Sequence, residues 1–545
     1  MTKGFFAKDY NLSKTGVKFS TSDSDLEFVF DKCEELCAKN IYEISGMRVM
    51  QEGAKYCGVW LETQPMAGEM YAKRDMEVAL NNCLVFMLHQ RRDGRMSGAI
   101  SFHPQNNGFV ATYSHFQGDF FTPAAYKMAY YINRDKVYLQ NLYEAIKSFD
   151  EYMWRYRDSD GDGCLETWCI YDTGDDNSTR FLAGDALGHN GAWCGEKPPS
   201  DRGNMPYESA EMMAYSYSHR ATLAKISDML GNDEGDYWRK EAEKVKQKIE
   251  EYLWREDKKA VYDRDCNNEF LDTLCMFNIK CMYHGAFSQR MADEFIKCHL
   301  LNREEFFTPL PLPAIAANDP AFYVNNELNN LSPEMLKKAN EKMCPDALDN
   351  SWSGAVQGLS VQRSLDALIN YGHHAESALI GELWLDNLCR EKYFTQQYNP
   401  MTGEHAKADD GYGPTMLAAL QYIAYLYGVD FSCDTLVWSA VDNDKDTSYT
   451  QTLFGAEYTL ERKNKKATAY KNGKMLFAVS QGVRVITDLE GNLVSLVGLS
   501  KREVALELEY AGVRHTLTVK PNEHYSFDGK TLVLDRSVPF DYMVE

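Results

Sequence analysis

From about Leu26 to Tyr427 apolar residues recur at steps of three and four. Between Lys136 and Arg157, for example, Leu139, Leu142, Ile146, Phe149 and Met153 fall on one stripe, which predicts a long helix with one buried face. The same spacing predicts helices over 26–44, 75–90, 123–132, 208–230, 236–253, 270–283, 289–299, 357–371, 376–390 and 414–427. They arrive in pairs, separated by long loops rich in glycine and aromatic residues. About eleven helices with no alternating strands point to a mainly α fold, a closed double ring of helical hairpins, rather than an α/β sheet. Loops of that length in a compact domain usually carry function.

After Asp430 the period changes to two. Val504, Leu506, Leu508 and Tyr510 share one face while Glu503, Glu507 and Glu509 take the other. Asn472-Gly473 and Glu490-Gly491-Asn492 are turn signals between such runs. The expected organisation is therefore a helical domain over residues 1–430, including an N-terminal lead-in, and a small β-sandwich over 431–545.

Charge narrows the ligand. A formal net charge of -22 and a pI near 5.1 argue against nucleic acid or an anionic membrane surface as partner, since both require clustered Lys and Arg. The N-terminus lacks the apolar core of a secretion signal, and no run of 18 apolar residues occurs. The 14 cysteines are scattered singly through apolar segments, without metal-type pairs. A reduced, cytoplasmic protein is the expectation, with most thiols serving as small core hydrophobes.

The chemistry concentrates in Arg157–Phe181, RDSDGDGCLETWCIYDTGDDNSTRF, which holds six Asp and one Glu. Asp158, Asp160, Asp162 and Gly163 fit positions 1, 3, 5 and 6 of a calcium loop. Position 12 is Cys169 and not the bidentate Glu, so a turn held by Asx hydrogen bonds is expected and bound calcium is the alternative. No other cofactor is indicated. In the second half, Asp176, Asn177 and Ser178 are suited to capping a turn.

DGDGCLE followed by TGDDNSTRF resembles the DGDGL...SGxDNSPRW element of the inverting (α/α)6 glycosidases of glycoside hydrolase family 63 and its mannosylglycerate hydrolase relatives, with trehalases more distant. NSWSGAVQG at 350–358 resembles their xYWRGPVW segment and FTQQYNPMTGE at 394–404 their FxEYYNPxTGE. GEMYAKRDMEVALNNCLVFMLHQRRDGRMSG resembles the strip carrying WD and then HQRxDGRxPG. The resemblance implies an (α/α)6 barrel followed by the β-sandwich, and a small carbohydrate substrate held by aromatic platforms and planar polar groups. Asp75, Trp60, His115, Gln117, Trp168, Asn177, Trp352, Gln357 and Gln396 are the implied ligand contacts, with Tyr113 of similar character.

Inverting hydrolysis needs one carboxylic acid to protonate the leaving oxygen and a second carboxylate to activate water. Asp176 aligns with the family's acid, and burial against an aromatic wall such as Trp168, with Asp172 or Asp175 nearby, is expected to raise its pKa. The family's base aligns with Gln396, and a carboxamide cannot take a proton from water. Three outcomes follow from that exchange: a base relocated to Glu404, Asp409 or Asp410 of the same loop, phosphate as the nucleophile in an inverting phosphorylase, or a protein that binds sugar without cleaving it. The first is the primary expectation, an inverting glycoside hydrolase acting on a small α-linked glycoside or oligosaccharide.

Overall fold

The computed structural model describes residues 4–103, 108–182, 198, 203–342, 352–406 and 409–540. Among these, thirteen α-helices carry the first part of the chain: α1 Ser24–Lys39, α2 Gln64–Tyr71, α3 Met76–Leu88, α4 Phe121–Tyr131, α5 Lys136–Tyr156, α6 Ala210–Leu230, α7 Gly235–Lys248, α8 Phe277–Tyr283, α9 Gln289–Phe295, α10 Pro333–Lys342, α11 Gly358–Ile369, α12 His374–Glu391 and α13 Gly413–Tyr427.

Local sequence sets many of their boundaries. Asp23, Asp75 and Asp135 each turn a carboxylate onto the first free amides of α1, α3 and α5, and Ser209 and Ser288 do the same for α6 and α9. Gly231, in the left-handed conformation, stops α6.

Packing contacts run from α2 to α4, α6, α8, α11 and α13 and return from α13 to α2, a closed circuit of six helices. Helices α3, α5, α7 and α12 lie against members of that circuit, as α1 does against α12 and α13.

Several helical expectations shorten. The pattern over 26–44 ends at Lys39, because Ile41–Ile44 turns through Ser45-Gly46, both at positive φ, and pairs with Met47–Met50. Of 270–283 only Phe277–Tyr283 is helical, since the amide of Leu274 bonds Asp319 and that of Met276 bonds the Ala314 carbonyl. Glu208 belongs to a two-residue strand with Tyr207 that pairs with Glu166–Thr167, and α6 begins after it. Helices α2 and α10 have no counterpart in the periodicity analysis: α2 is short and buried nearly all round, and α10 is a short helix outside the circuit.

The C-terminal part is two antiparallel sheets of seven and six strands. Leu506 and Leu508 point inward as their alternation predicts, and Asn472-Gly473 makes the hairpin turn with φ of 50° and 76°. One strand of the larger sheet comes from the other end of the chain: Gly16–Thr21 pairs with Thr447–Leu453. No helix among the described residues is long and apolar enough to cross a membrane.

Candidate active site

A small pocket of about 50 Å³ opens where the loops before α2, α4, α11 and α13 meet the loop that contains Asp176. Trp60 and Glu62 lie just before α2, Gln117 just before α4, Leu359 in the first turn of α11 and Tyr412 at the start of α13. Two walls can be distinguished by their contacts.

The first wall is the Asp176 loop and what pins it. Asp172 is buried and accepts the amides of Phe116 and Trp168, and Arg157 binds it at 2.5 Å. That clamp zips the Gln117 strip to the loop, since Gln117 and Gly118 donate their amides to the carbonyls of Tyr171 and Asp172. Gln117, at φ 61°, turns into the pocket. On the far side Trp352 donates its amide to the Asp176 carbonyl at 3.3 Å, and Ser178 Oγ donates to the Trp352 carbonyl at 2.8 Å. Glu62 reaches the same wall, held by Arg363 at 2.8 Å. Gly174 allows that approach: a Cβ there would stand 2.3 Å from the Glu62 carboxyl carbon.

The charges behind this wall nearly balance. Lys280 binds Asp175 and Glu211, Arg180 binds Glu211 and approaches Asp175 at 3.5 Å, and Arg363 binds Glu62. Arg180 also lies 3.8 Å from Asp263, so three cations serve four carboxylates, and among the described residues none of them pairs with Asp176. Burial, then the negative charge of Glu62, then those of Asp175 and Glu52, push its pKa well above the usual carboxylate range, against a hydrogen bond from Gln117. Asp176 is partly open to the pocket, while its Oδ1 is shut away and accepts no hydrogen bond. Asp175, one residue earlier, is also pushed up by burial, yet Lys280 and Arg180 outweigh that and hold it low.

The second wall is built from both ends of the helical part. Tyr56 Oη donates to Gln396 Oε1 at 2.7 Å, the Tyr56 and Tyr412 rings meet at 6.0 Å, and Tyr412 Oη donates to Glu52 Oε1 at 2.8 Å. Glu52 is itself fixed by its backbone, whose amide donates to Gly58 and whose carbonyl accepts from Gly413 at 2.7 Å. Trp60, edge-on to Tyr56, closes the rim.

The pocket thus brings together Asp176, Trp60, Gln117, Trp352 and Gln396 of the residues expected from sequence. It leaves the others outside. Asp75 caps α3 and pairs with Arg48 at 3.0 Å, so local capping claims its carboxylate, and Glu62 stands in the pocket instead. Trp168 is buried beneath Arg157, whose guanidinium lies 4.1 Å from its ring, so the aromatic against Asp176 is Trp352. His115 stacks on Tyr171, Tyr113 donates to the His89 carbonyl, Asn177 serves as a left-handed turn residue, and Gln357 is buried at the start of α11.

Glu404 and Asp410 also lie elsewhere. The Asn399–Glu404 turn folds back on itself, which leaves Glu404 exposed beside Thr402, and exposed Asp410 accepts the amides of Phe394 and Gly411. Asp409 pairs with Lys55 at 3.5 Å. Asn350 and Ser351 lie outside the described residues.

Glu52, Glu62, Tyr56 and Tyr412 were not singled out from sequence. The available signal was acidic residues flanking Trp60 in the run GlnGluGlyAlaLysTyrCysGlyValTrpLeuGlu, where neither period predicts an element. For a cation, the carboxylate oxygens of Asp158, Asp160 and Asp162 lie within 4.8 Å of one another, as do those of Asp160, Glu166 and Glu208. Asx hydrogen bonds to the amides of Asp162, Gly163 and Cys164 already hold this loop.

A family model described as the mannosylglycerate hydrolase MGH1-like glycoside hydrolase domain matches residues 61–415, well over half of the chain. No curated protein matches. Among solved structures, the GH63 mannosylglycerate hydrolase from Thermus thermophilus in complex with glucose has a TM-score of 0.55 at 15% identity, over 72% of this chain and 99% of its own. Neutral trehalase from Saccharomyces cerevisiae has a TM-score of 0.51 at 11% identity, over 72% and 80%. A chain described as a sialidase reaches 0.62 at 13% identity, over 87% of this chain and 42% of its own. At these identities the structural likeness speaks for the fold.

Proposed function

The chain belongs to the MGH1-like glycoside hydrolases, a family of inverting enzymes, and from that premise we propose that it cleaves a small α-linked glycoside or oligosaccharide with Asp176 as general acid. The six-helix circuit is then the inner ring of an (α/α)6 barrel, with the pocket at the end where the inner helices begin. The observation that carries the assignment is the carboxyl without an ion pair: burial and the neighbouring carboxylates, Glu62 foremost, push the Asp176 pKa well up, while Lys280 and Arg180 hold that of its neighbour Asp175 down. Trp60 and Trp352 offer flat faces to a sugar ring, and Gln117 and Gln396 offer planar donors and acceptors. The reaction so written uses no cofactor.

Hydrolysis fits this pocket better than phosphorolysis. Among the described residues that line it there are three carboxylates and no Lys, Arg or His, whereas phosphate as nucleophile needs cationic donors. Lys280 and Arg363 stand behind the wall, engaged by carboxylates.

Replacing Asp176 with Asn tests the acid. Turnover of a glycoside with a poor leaving group should fall by about a hundredfold or more, with folding kept. Proton NMR of the wild-type reaction should show the inverted anomer first. Wild-type rates from the Asn variant, or early retention, would end the proposal.

A further inference from the structure

Granting Asp176 the role of acid as proposed above, we infer that Glu52 is the general base, taking over from its own wall the task that Gln396 cannot perform. Three carboxylates line the pocket, and each has a different place. Asp176 is the proposed acid. Glu62 shares its wall, is gripped by Arg363, and is packed against Gly174, and burial above all raises its pKa despite that arginine. Its carboxyl is turned to Arg363 and Gly174 on the acid's own wall, where it is the neighbour that raises the proton affinity of Asp176. Glu52 belongs to the opposite wall.

Its surroundings suit a base. The Tyr412 phenol donates to Oε1 at 2.8 Å, a bond that favours the ionised carboxylate, and both backbone groups of Glu52 are tied to neighbouring strands and to Gly413. Gln396 accepts from Tyr56 through Oε1, so its amide nitrogen is the side that donates. A water in the pocket beside this wall can donate to Glu52. Glu52 also adds to the field that raises the Asp176 pKa, and both carboxyls line the same pocket.

The step balances without a co-reactant. The water oxygen forms the new bond to the anomeric carbon as the glycosidic carbon–oxygen bond breaks, the leaving oxygen takes the Asp176 proton, and the water proton passes to Glu52. Both carboxyls return to their starting states by exchange with solvent. The carboxylate that position 396 lacks is thus supplied along the same wall by Glu52.

The test uses the full chain with α-D-glucosyl and α-D-mannosyl fluoride, whose leaving group needs little acid assistance. Glu52→Ala should lower hydrolysis by about a thousandfold. Sodium azide should restore turnover and give the β-glycosyl azide, because a small anion fills the space and needs no base. Glu52→Gln, which keeps the shape, should lose the acidic limb of the pH profile and respond little to azide. Glu404→Gln should behave as wild type.

Glu52→Ala with activity within about threefold of wild type overturns the inference. So does a slow Glu52→Ala enzyme that melts like wild type and is not rescued by azide. Should Glu52→Ala not fold, Glu52→Gln decides alone: an unchanged acidic limb rejects the assignment. Asp176→Asn separates the two claims, since it should spare the fluorides and lose ordinary glycosides. If it spares both, the acid assignment fails while azide rescue still judges Glu52. Wild-type protein inert towards both fluorides counts against acid and base together.

Discussion

The two halves of the acidic stretch Arg157–Phe181 are alike in composition and opposite in electrostatics. In the first half Asp158, Asp160, Asp162 and Glu166 gather with Glu208, and among the described residues the one cation bound to them is Lys248, 3.4 Å from Asp162. Burial and mutual repulsion raise the pKa values of Asp158, Glu166 and Glu208. In the second half Arg157 holds Asp172 low against its burial, Lys280 and Arg180 do the same for Asp175, and only Asp176 is raised. A carboxylate's proton affinity is thus decided by which cations distant segments deliver. The second half has them, and Asp176 is the acid they leave without an ion pair among the described residues.

Removing a cation should break that difference most strongly. Lys280→Met leaves Asp175 and Glu211 facing each other in the interior with one arginine between them. Breaking a buried pair in this way costs about 3–5 kcal/mol, and urea unfolding should register it. The hydrolytic rate should fall with it, because the loop would relax away from Trp352. A variant as stable as wild type would mean that the cluster does not hold the second half in place.

These cations show why the site was only partly legible from sequence. The acidic residues, the turn formers and Trp60, Gln117, Trp352 and Gln396 lie in compact blocks whose composition carries a message. Lys280, Arg363 and Glu211 lie on buried helix faces, where a periodicity reading expects apolar side chains. Glu52 meets Tyr412 across 360 residues of sequence, and no local pattern joins them. Asp75 misled for the converse reason: an Asp before an apolar run satisfies a helix cap as well as it would a ligand. The helices were legible because a buried stripe needs no distant partner. Their ends were less so where tertiary contacts intervene, as at Asn40, which passes directly into a strand, and at Leu274 and Met276, whose amides bond outside any helix.

A smaller change sharpens the comparison from within the pocket. Glu62 is the strongest of the charges that raise Asp176, second only to burial. Glu62→Gln removes that charge and frees Arg363 to act in the opposite sense, so the Asp176 pKa should drop. The acid must be protonated to work, and activity is therefore lost on the alkaline side: that limb of the pH profile should move down by about one unit. Rates near pH 5 should change least. An alkaline limb that stays in place would take the proton of Asp176 out of the rate equation.

The smallest expected effect belongs to the first half. Glu208 is buried, its Oε2 accepts no hydrogen bond, and burial together with Asp162, Glu166 and Asp160 raises its pKa from 4.5 to about 8. Between those values the folded chain holds a proton that the unfolded chain has released, so stability falls as pH rises from about 4.5 to about 8. Glu208→Gln removes the titrating group, keeps its shape, and should flatten the fall by about 1–3 kcal/mol, read as unfolding free energies at pH 5 and pH 8.5. Calcium offers the loop from outside what Lys280 and Arg180 give the second half from within. Added at pH 8.5, it should raise the melting temperature of wild type more than that of Glu208→Gln, since the cation would draw on the carboxylate that the variant lacks. Equal melting with and without calcium would leave the Asp158 loop as a turn held by its own Asx hydrogen bonds. A pH slope unchanged by Glu208→Gln would mean that Asp158 and Glu166, and not the buried strand residue, carry the repulsion that sets the two halves apart.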